Sequence, residues 1–450
     1  MYRTGAYTRR KRNTVRSLYS QTRRNQHKSR KINQQKTENK NLITAKKESS
    51  KYKWLILALM CFGIMSPQYA QYMMTIWGNP WLAGIGIKEN GAEFAALSTA
   101  PLLPGALFSL VSGVLVDRFG LKKVLIICIS ISAAAIIARI WATSYAVMFI
   151  CMALTGVAAT FFNANQMKFV GTWFPAAQTG LALGIFVAFN NGSMALSSGV
   201  ATLFTNYSSA FVSSGIYAAF MVVVWLILGR DKPKVPVAAN AEAQPPILEC
   251  LKVVVRSRRI WIMAVGMMLF QSAALTLTQF MPSALQADFG YTQGQAVTIT
   301  NVFTFSALIG CLFTGKLFNA LKRPKLWFTV IGIISAFGIA FAWRIPNVPL
   351  KVIALSLLGM MTLGHTPILT GLPLTFPEIG PKYAGTAGGF SATLMLAANF
   401  IIPTFVTMPL ANNDYSKFFY FEAAIMVLFV IISPFMPTKI EQSSENREQK

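Results

Sequence analysis

This sequence predicts an all-α membrane protein with twelve transmembrane helices in two pseudo-symmetric six-helix bundles, and three observations carry that prediction. Of its 450 residues, 54% are apolar and only 12% are charged, against about a quarter charged in an ordinary soluble domain. The apolar residues form blocks of about 20 rather than amphipathic stripes, long enough to cross a roughly 30 Å hydrocarbon core as helix. The second half of the chain also repeats landmarks of the first. Backbone groups in lipid must pair within their own segment, so the blocks are read as helices. A soluble all-α core does not accommodate so many long uncharged runs.

The formal charge of +26 suggests a nucleic-acid binder until its distribution is considered. Residues 1–53 hold many of the cations, among them Arg9 to Arg12 and Lys28 to Lys31, opposed only by Glu38 and Glu48. The segment is rich in Asn, Gln, Ser and Thr and cannot bury a core, so it is expected to be a disordered basic cytoplasmic tail. No apolar stretch follows the charges until Trp54, which argues against a secretory signal. An organelle transit peptide is the alternative. The preferred reading is a polybasic arm attracted to anionic lipid, with membrane lipid and not nucleic acid as the partner.

Twelve spans follow, at about 54–77, 96–116, 122–142, 145–170, 178–202, 207–229, 259–284, 295–319, 325–343, 349–374, 382–408 and 415–436. Loop cations set their orientation. With the basic tail inside, the inside loops and span ends hold Arg118, Lys122, Lys123, Arg230, Lys232, Lys234, Lys252, Arg256, Arg258, Arg259, Lys322, Arg323, Lys325 and Lys382. The outside ones hold Lys88, Arg139, Arg344, Lys351 and Lys417. Both termini are therefore expected in the cytoplasm of a multi-pass cell-membrane protein. A polar, Pro-rich stretch after span six marks a cytoplasmic linker at 230–258. It separates bundles at 54–229 and 259–436, with a cytoplasmic tail at 437–450. The five cysteines form no CxxC pair and four lie in apolar blocks; they read as reduced packing residues, with no metal and no cofactor.

The halves repeat in order. Gly113-Val-Leu-Val-Asp117 corresponds to Gly315-Lys-Leu-Phe-Asn319, and Phe174-Pro175 to Phe376-Pro377, both 202 positions later. After a short insertion, Gly180-x-Ala182-x-Gly184 corresponds to Gly385-x-Ala387-x-Gly389. Parallel repeats of this kind are a known transporter architecture.

Between spans two and three the chain reads Gly113-Val-Leu-Val-Asp117-Arg118-Phe-Gly120-Leu-Lys122-Lys123. Physically, Gly113 is expected to allow close helix approach. Asp117 ends a helix, Gly120 turns the chain, and Lys122 and Lys123 hold the next helix start inside. The segment resembles the signature loop of the major facilitator superfamily, at its expected place, over a chain that resembles the family from about 54 to 436. The resemblance implies a secondary transporter, not an enzyme, that moves a small solute by alternating access through a cavity lined by spans one, four, seven and ten. The second copy is degraded, with Asn319 for the acid and Ala320 for the Arg. Met152 stands where the family often has an Arg before the Gly of span four, here Gly156, and the drug-exporter motif of span five is missing. Trp173-Phe174-Pro175 with Gly180 to Gly184 resembles the segment found in anion-handling branches, such as the nitrate, cyanate and organic-anion porters. The nitrate branch uses Arg in spans two and eight, and neither 96–116 nor 295–319 contains one.

An ionisable residue deep in a span is a functional candidate by default. His365 in span ten is the clearest. Lys168 lies near the inner end of span four, Glu378 beyond span ten, and Glu422 in span twelve, which the resemblance places at the periphery. Neutral polar candidates for solute contact are Gln68 and Gln71 (span one), Asn163 and Gln166 (span four), Asn190 and Asn191 (span five), and Gln271 and Gln279 (span seven). His365 lies 202 positions after Asn163, which predicts a shared cavity and, for His365, a coupling role. Asp117 is expected to latch an inner gate with Lys168 or the start of span eleven. No carboxylate is placed to meet a cation, so a small organic anion is the expected substrate, carried by a monomeric uniporter or a symporter with protons as the candidate coupling ion. A multidrug or metabolite exporter is the alternative, and a non-transporting membrane sensor a third reading. No Walker motif supports direct ATP drive.

Overall fold

The structure, a computed structural model, describes residues 52–89, 91–174, 176–229, 247–321, 323–372 and 380–436. The basic tail to residue 51, the stretch 230–246 and the end of the chain from 437 lie outside them, as does Glu378. The chain divides into two compact units, 1–56 and 57–450. In the first, residues 52–56 are helical; everything below belongs to the second.

The described residues contain no strand. In chain order the α-helices are α1 (57–84), α2 (Ala92–Thr99), α3 (Leu103–Phe119), α4 (Leu121–Ala138), α5 (Tyr145–Trp173), α6 (Ala176–Ala201), α7 (Tyr207–Leu228), α8 (Ile247–Arg256), α9 (Arg258–Phe289), α10 (Gln293–Leu321), α11 (Pro324–Phe341), α12 (Val348–Met361), α13 (Thr366–Gly371), α14 (Gly380–Ile401), α15 (Met408–Ala411) and α16 (Tyr415–Ile432). Eleven stretches among the described residues are long and apolar enough to cross a membrane. The twelfth expected span is α1, whose apolar run is interrupted by Ser66, Gln68 and Gln71.

Local chemistry sets the helix starts. The side chains of Ser144, Asn206, Ser257, Asn347 and Asp414 accept from a backbone N–H three residues on, capping α5, α7, α9, α12 and α16. Gly120 turns the chain between α3 and α4 at φ 89°, a conformation that a side chain disfavours.

Three features depart from the expected spans. The linker ends in a helix, α8, which packs on α14 and α9. It buries Cys250 and Val254, one turn apart, and exposes Glu249, Lys252 and Arg256; a few apolar residues were enough for one buried stripe. Span ten is broken, with a 3-10 turn at Leu363–His365 between α12 and α13. Pro367 lacks the N–H that would bond Leu363, so the helix cannot run through. Span eleven carries a π-helical turn at Ile402–Thr407 that contains Pro403, the kind of adjustment by which a helix absorbs a proline.

The two halves share a backbone-on-backbone crossing. A Cβ added to Gly156 on α5 would collide with the Pro101 carbonyl in the turn joining α2 to α3. A Cβ on Gly359 of α12 would collide with the Phe303 carbonyl of α10. The two pairs sit at the repeat offset, 202 positions for Pro101 and Phe303 and 203 for the glycines.

The halves meet through α3 against α14 and α6 against α10. Taking the end with Arg118, Lys122, Arg258 and Lys325 as the basic end, cross-bundle contacts gather toward the other. Phe94 meets Phe280 edge-on at 5.8 Å, Phe149 meets Phe400 at 6.2 Å, and Thr99 and Thr404 share a hydrogen bond of 3.2 Å. Asn301 of α10 accepts from Ser198 Oγ at 2.9 Å and donates to the Ala195 carbonyl at 3.0 Å. A cavity of about 10 Å³ survives beside Asn301, lined by Tyr72, Thr75, Thr278, Thr300 and Thr304, room for about one water.

These crossings set a first prediction. Gly156→Ala and Gly359→Ala should each lower thermal stability in detergent by about 1–3 kcal/mol, since backbone must move to admit the methyl. Gly184→Ala meets nothing within 4 Å and should leave stability unchanged or slightly higher. Equal melting of all three variants would remove the crossing as a constraint.

Candidate functional site

Four side chains from three helices form one hydrogen-bonded chain. Ser193 Oγ on α6 shares its one proton between the Asn190 carbonyl at 2.7 Å and Gln68 Oε1 on α1 at 3.0 Å. Gln68 Nε2 donates to Asn190 Oδ1 on α6, and Asn190 Nδ2 donates to Asn163 Oδ1 on α5 at 3.1 Å. Each amide gives a proton forward and receives one from behind, so the chain has a direction. It ends on the Asn163 amide nitrogen, and Asn163 is exposed. Linked bonds of this kind polarise one another. Their sense, which follows from the amide orientations, turns the last donors toward an acceptor. Lys168, exposed on the same helix, adds positive charge toward the basic end.

The other expected residues are placed differently. Gln271 on α9, 203 positions after Gln68, is buried and accepts from Thr366 Oγ1 at 3.1 Å. Gln71 donates to the Ser98 carbonyl at 3.1 Å, tying α1 to α2. Gln166 is half-buried and Gln279 buried, each with a side-chain oxygen that has no partner; Asn191 is half-buried on α6. His365 is fully buried, closed off from the space onto which Asn163 opens. Its Nδ1 accepts from Trp327 Nε1 at 3.0 Å, and the rings of Phe270 and Phe328 stand 5.6 and 5.4 Å away. The 3-10 turn, with Gly364 packed on Gly310, directs the imidazole into the second bundle.

Sequence alone does not single out several polar groups that the structure does. Asn301 and Ser193 are ordinary polar residues within spans, and nothing in their own sequence positions distinguishes them. Arg139 and Lys351, read as outer-end cations, are both fully buried. Arg139 donates to the Ala70 carbonyl at 2.7 Å and to Ser214 Oγ at 2.6 Å and lies over the Phe211 ring at 4.6 Å. It thereby joins α1, α4 and α7. Lys351 Nζ lies 4.2 Å from the Phe289 ring centre and 3.3 Å from Tyr291 Oη, a cation–π setting. Glu422, placed at the periphery by resemblance, is fully buried.

Comparison with known proteins decides the family. Residues 54–403 match the Major Facilitator Superfamily. The chain belongs to this superfamily. It is a membrane transporter and not an enzyme. A probable nitrate/nitrite antiporter, NarK1 of Thermus thermophilus, is 24% identical over 80% of this chain and 85% of its own. A probable nitrate/nitrite transporter, NarK2 of Mycobacterium tuberculosis, is 29% identical over 49% of this chain and 55% of its own. Among solved structures, a point mutant of the nucleoside transporter NupG superposes with a TM-score of 0.66 at 14% identity, covering 85% of this chain and all of that one; this likeness supports the twelve-helix, two-bundle fold.

The superfamily loop can now be placed. Gly120 makes the turn as expected. Gly113 does not permit a close crossing, since a Cβ there would meet nothing within 4 Å. Its carbonyl instead accepts from Lys168 Nζ at 3.3 Å, so Lys168 joins α5 to α3 one turn before Asp117. The Asp117 side chain lies outside the described residues. Arg118 is exposed and lies over Phe119, while Lys122 and Lys123 start α4.

If Gln68, Asn190 and Asn163 act as one chain, substitutions within it will not be additive. Gln68→Leu and Asn190→Leu should couple by about 0.5–3 kcal/mol in a thermal double-mutant cycle. Gln68→Leu paired with Lys325→Ala, at the far side of the second bundle, should add within error.

Proposed function

We infer that this superfamily member carries a small organic anion across the cell membrane by alternating access, as a uniporter or proton-coupled symporter. On this reading its amino and carboxyl ends and the linker 230–258 lie in the cytoplasm, and the cross-bundle contacts close the outer end. The observation that carries the reading is the directed amide chain. Its terminal donors, on exposed Asn163, are one and a half turns from a lysine, and an anion matches them where a cation would not. Desolvating a cation requires an acidic partner, and the described residues of α1, α5 and α6 include no Asp or Glu.

Neutral donors suit a carboxylate or sulfonate with an apolar body. Nitrate, named for two relatives, is the second reading. Against it, the nitrate branch's arginines in spans two and eight have no counterpart here. Direction of transport separates both from an exporter.

The direct test is counterflow in proteoliposomes with labelled acetate, oxalate and nitrate, and glucose as a neutral control. An organic anion should exchange, and Asn163→Leu should slow that exchange about tenfold or more, the loss expected when a charge-assisted hydrogen bond is removed. Exchange of glucose with exclusion of every anion would overturn the reading. Topology is checked separately on intact cells. Cysteine replacing Lys88 should react with an impermeant thiol reagent, and cysteine replacing Arg118 should not.

A further inference from the structure

Glu422 stands in the middle of the second bundle with no cation beside it. It is fully buried on α16, and Thr407 Oγ1 donates to its Oε1 at 2.7 Å. The Oε2 atom is buried without a partner of standard geometry. Thr276 of α9 lies beside the carboxyl, but its hydroxyl proton goes to the Ser272 carbonyl at 2.6 Å. A hydroxyl has one proton to give, so Thr276 has none left for the carboxyl. A single donor, with no cation beside the group, suits a protonated carboxylic acid. A carboxylate would face that single donor in apolar surroundings, a costly arrangement.

The other ionisable groups on the packed elements are engaged elsewhere or lie at helix ends. On α16, Lys417 pairs with Asp414 at 3.7 Å and Tyr420 bonds Arg344, which follows α11; Tyr415 starts the helix. On α9, Asp288 accepts from Ser416 at 3.1 Å at one end, with Arg258 and Arg259 at the other. Lys325 starts α11. His365 packs on Phe270 and Phe328, and the side chains of Lys382 and Tyr383 on α14 lie outside the described residues.

The position of Thr407 links this acid to the closed end. Thr407 finishes the π-helical turn Ile402–Thr407, and Thr404 of the same turn bonds Thr99 of α2 across the bundle interface. The same turn is therefore held by Glu422 through Thr407 and bonded to the other bundle through Thr404. We propose that Glu422 is a proton-binding site, protonated in the conformation described here, whose deprotonation pulls the π-helical turn toward the carboxylate and opens the Thr99–Thr404 end. On release the Oε2 proton passes to water. The resulting carboxylate then draws Thr407 and solvent toward itself, which loosens Thr404 from Thr99. The proposal rests on the membership of a transporter superfamily and not on the identity of the solute.

The experiment uses full-length protein in nanodiscs, without its native cysteines and with Val297→Cys, a buried position lining the small cavity beside Asn301 at the closed end. The rate of labelling by an impermeant thiol reagent, divided at each pH by that of a free cysteine so that thiolate formation cancels, should rise roughly tenfold from about pH 5 to about pH 9, a range that spans ordinary and buried carboxyls. Glu422→Gln, a fixed stand-in for the protonated acid, should stay at the slow rate throughout. Infrared difference spectra across the same range should lose a protonated-carboxyl C=O band in the parent and show no such loss in the Gln variant. A Gln variant with the parental pH dependence would overturn the proposal. Should that variant fail to fold, Thr407→Val decides. Removing the one donor should move the labelling midpoint up by about one pH unit, and an unmoved midpoint would equally overturn it. No readout involves the solute. Failed anion counterflow with intact pH-dependent labelling would therefore remove the anion reading and leave Glu422 standing.

Discussion

The structure depends on two places where helices touch backbone to backbone, Gly156 on Pro101 and Gly359 on Phe303. Between helices surrounded by lipid, the hydrophobic effect supplies little attraction, and close packing must do the holding. A glycine at the crossing lets two helices approach until one backbone rests on the other. Because the two crossings sit at the repeat offset, each bundle fixes its fourth helix on its second in the same way. The orientation of α5 follows from the first crossing, and with it the direction in which Asn163 and Lys168 face. The second crossing fixes α12, and Gly364 on Gly310 then sets the turn that carries His365 inward.

On that frame the polar groups divide into those that hold helices together and those with capacity to spare. Arg139 is of the first kind. Its guanidinium meets a carbonyl, a hydroxyl and an aromatic face, so burying it costs less than an unpaired charge would, and removing its partners would cost more. Gln71, bound to Ser98, and Asn301, bound to Ser198 and Ala195, also act as connectors. The Gln68–Asn190–Asn163 chain differs because its last member has donors left over and is exposed. An amide chain is neutral, so it can present donors to an anion without a permanent buried charge. That keeps the empty site inexpensive in a low-dielectric interior.

The fold was legible in the sequence because lipid imposes a simple rule. Long apolar runs must be helices, and loop cations mark one face. The repeat showed through Gly113, Phe174 and Gly180 and their counterparts because turns and small residues tolerate little change. Roles inside the bundle were less legible. Asn163, Asn190 and Gln68 were recognisable as polar residues in spans, but their connection depends on the rotation of three helices. Gly113 lies within the recognised loop yet makes no crossing, while Gly156, outside it, does. His365 corresponds to Asn163 in position but not in direction, because Pro367 breaks the helix beside it and rotates the imidazole away. Arg139 and Lys351 are near span ends in sequence. Helix α9, which runs past its expected boundary to Phe289, covers Lys351 with that ring.

The repeat also explains why the halves can do different things. Gln68 and Gln271 occupy corresponding positions on α1 and α9, yet one joins a chain of donors leading to an exposed amide and the other is capped by Thr366 in a closed interior. In the first bundle the uncommitted polarity is neutral and open. In the second, Glu422, Lys351 and His365 are all fully buried. A duplicated architecture supplies two equivalent frames. A few polar substitutions on one frame are enough to leave a linked amide chain in the first and buried Glu422, Lys351 and His365 in the second. The interface between them, through Thr99 and Thr404 at one end and Ser198 and Asn301 at the other pair of helices, is then the place where events in either bundle must be felt by both.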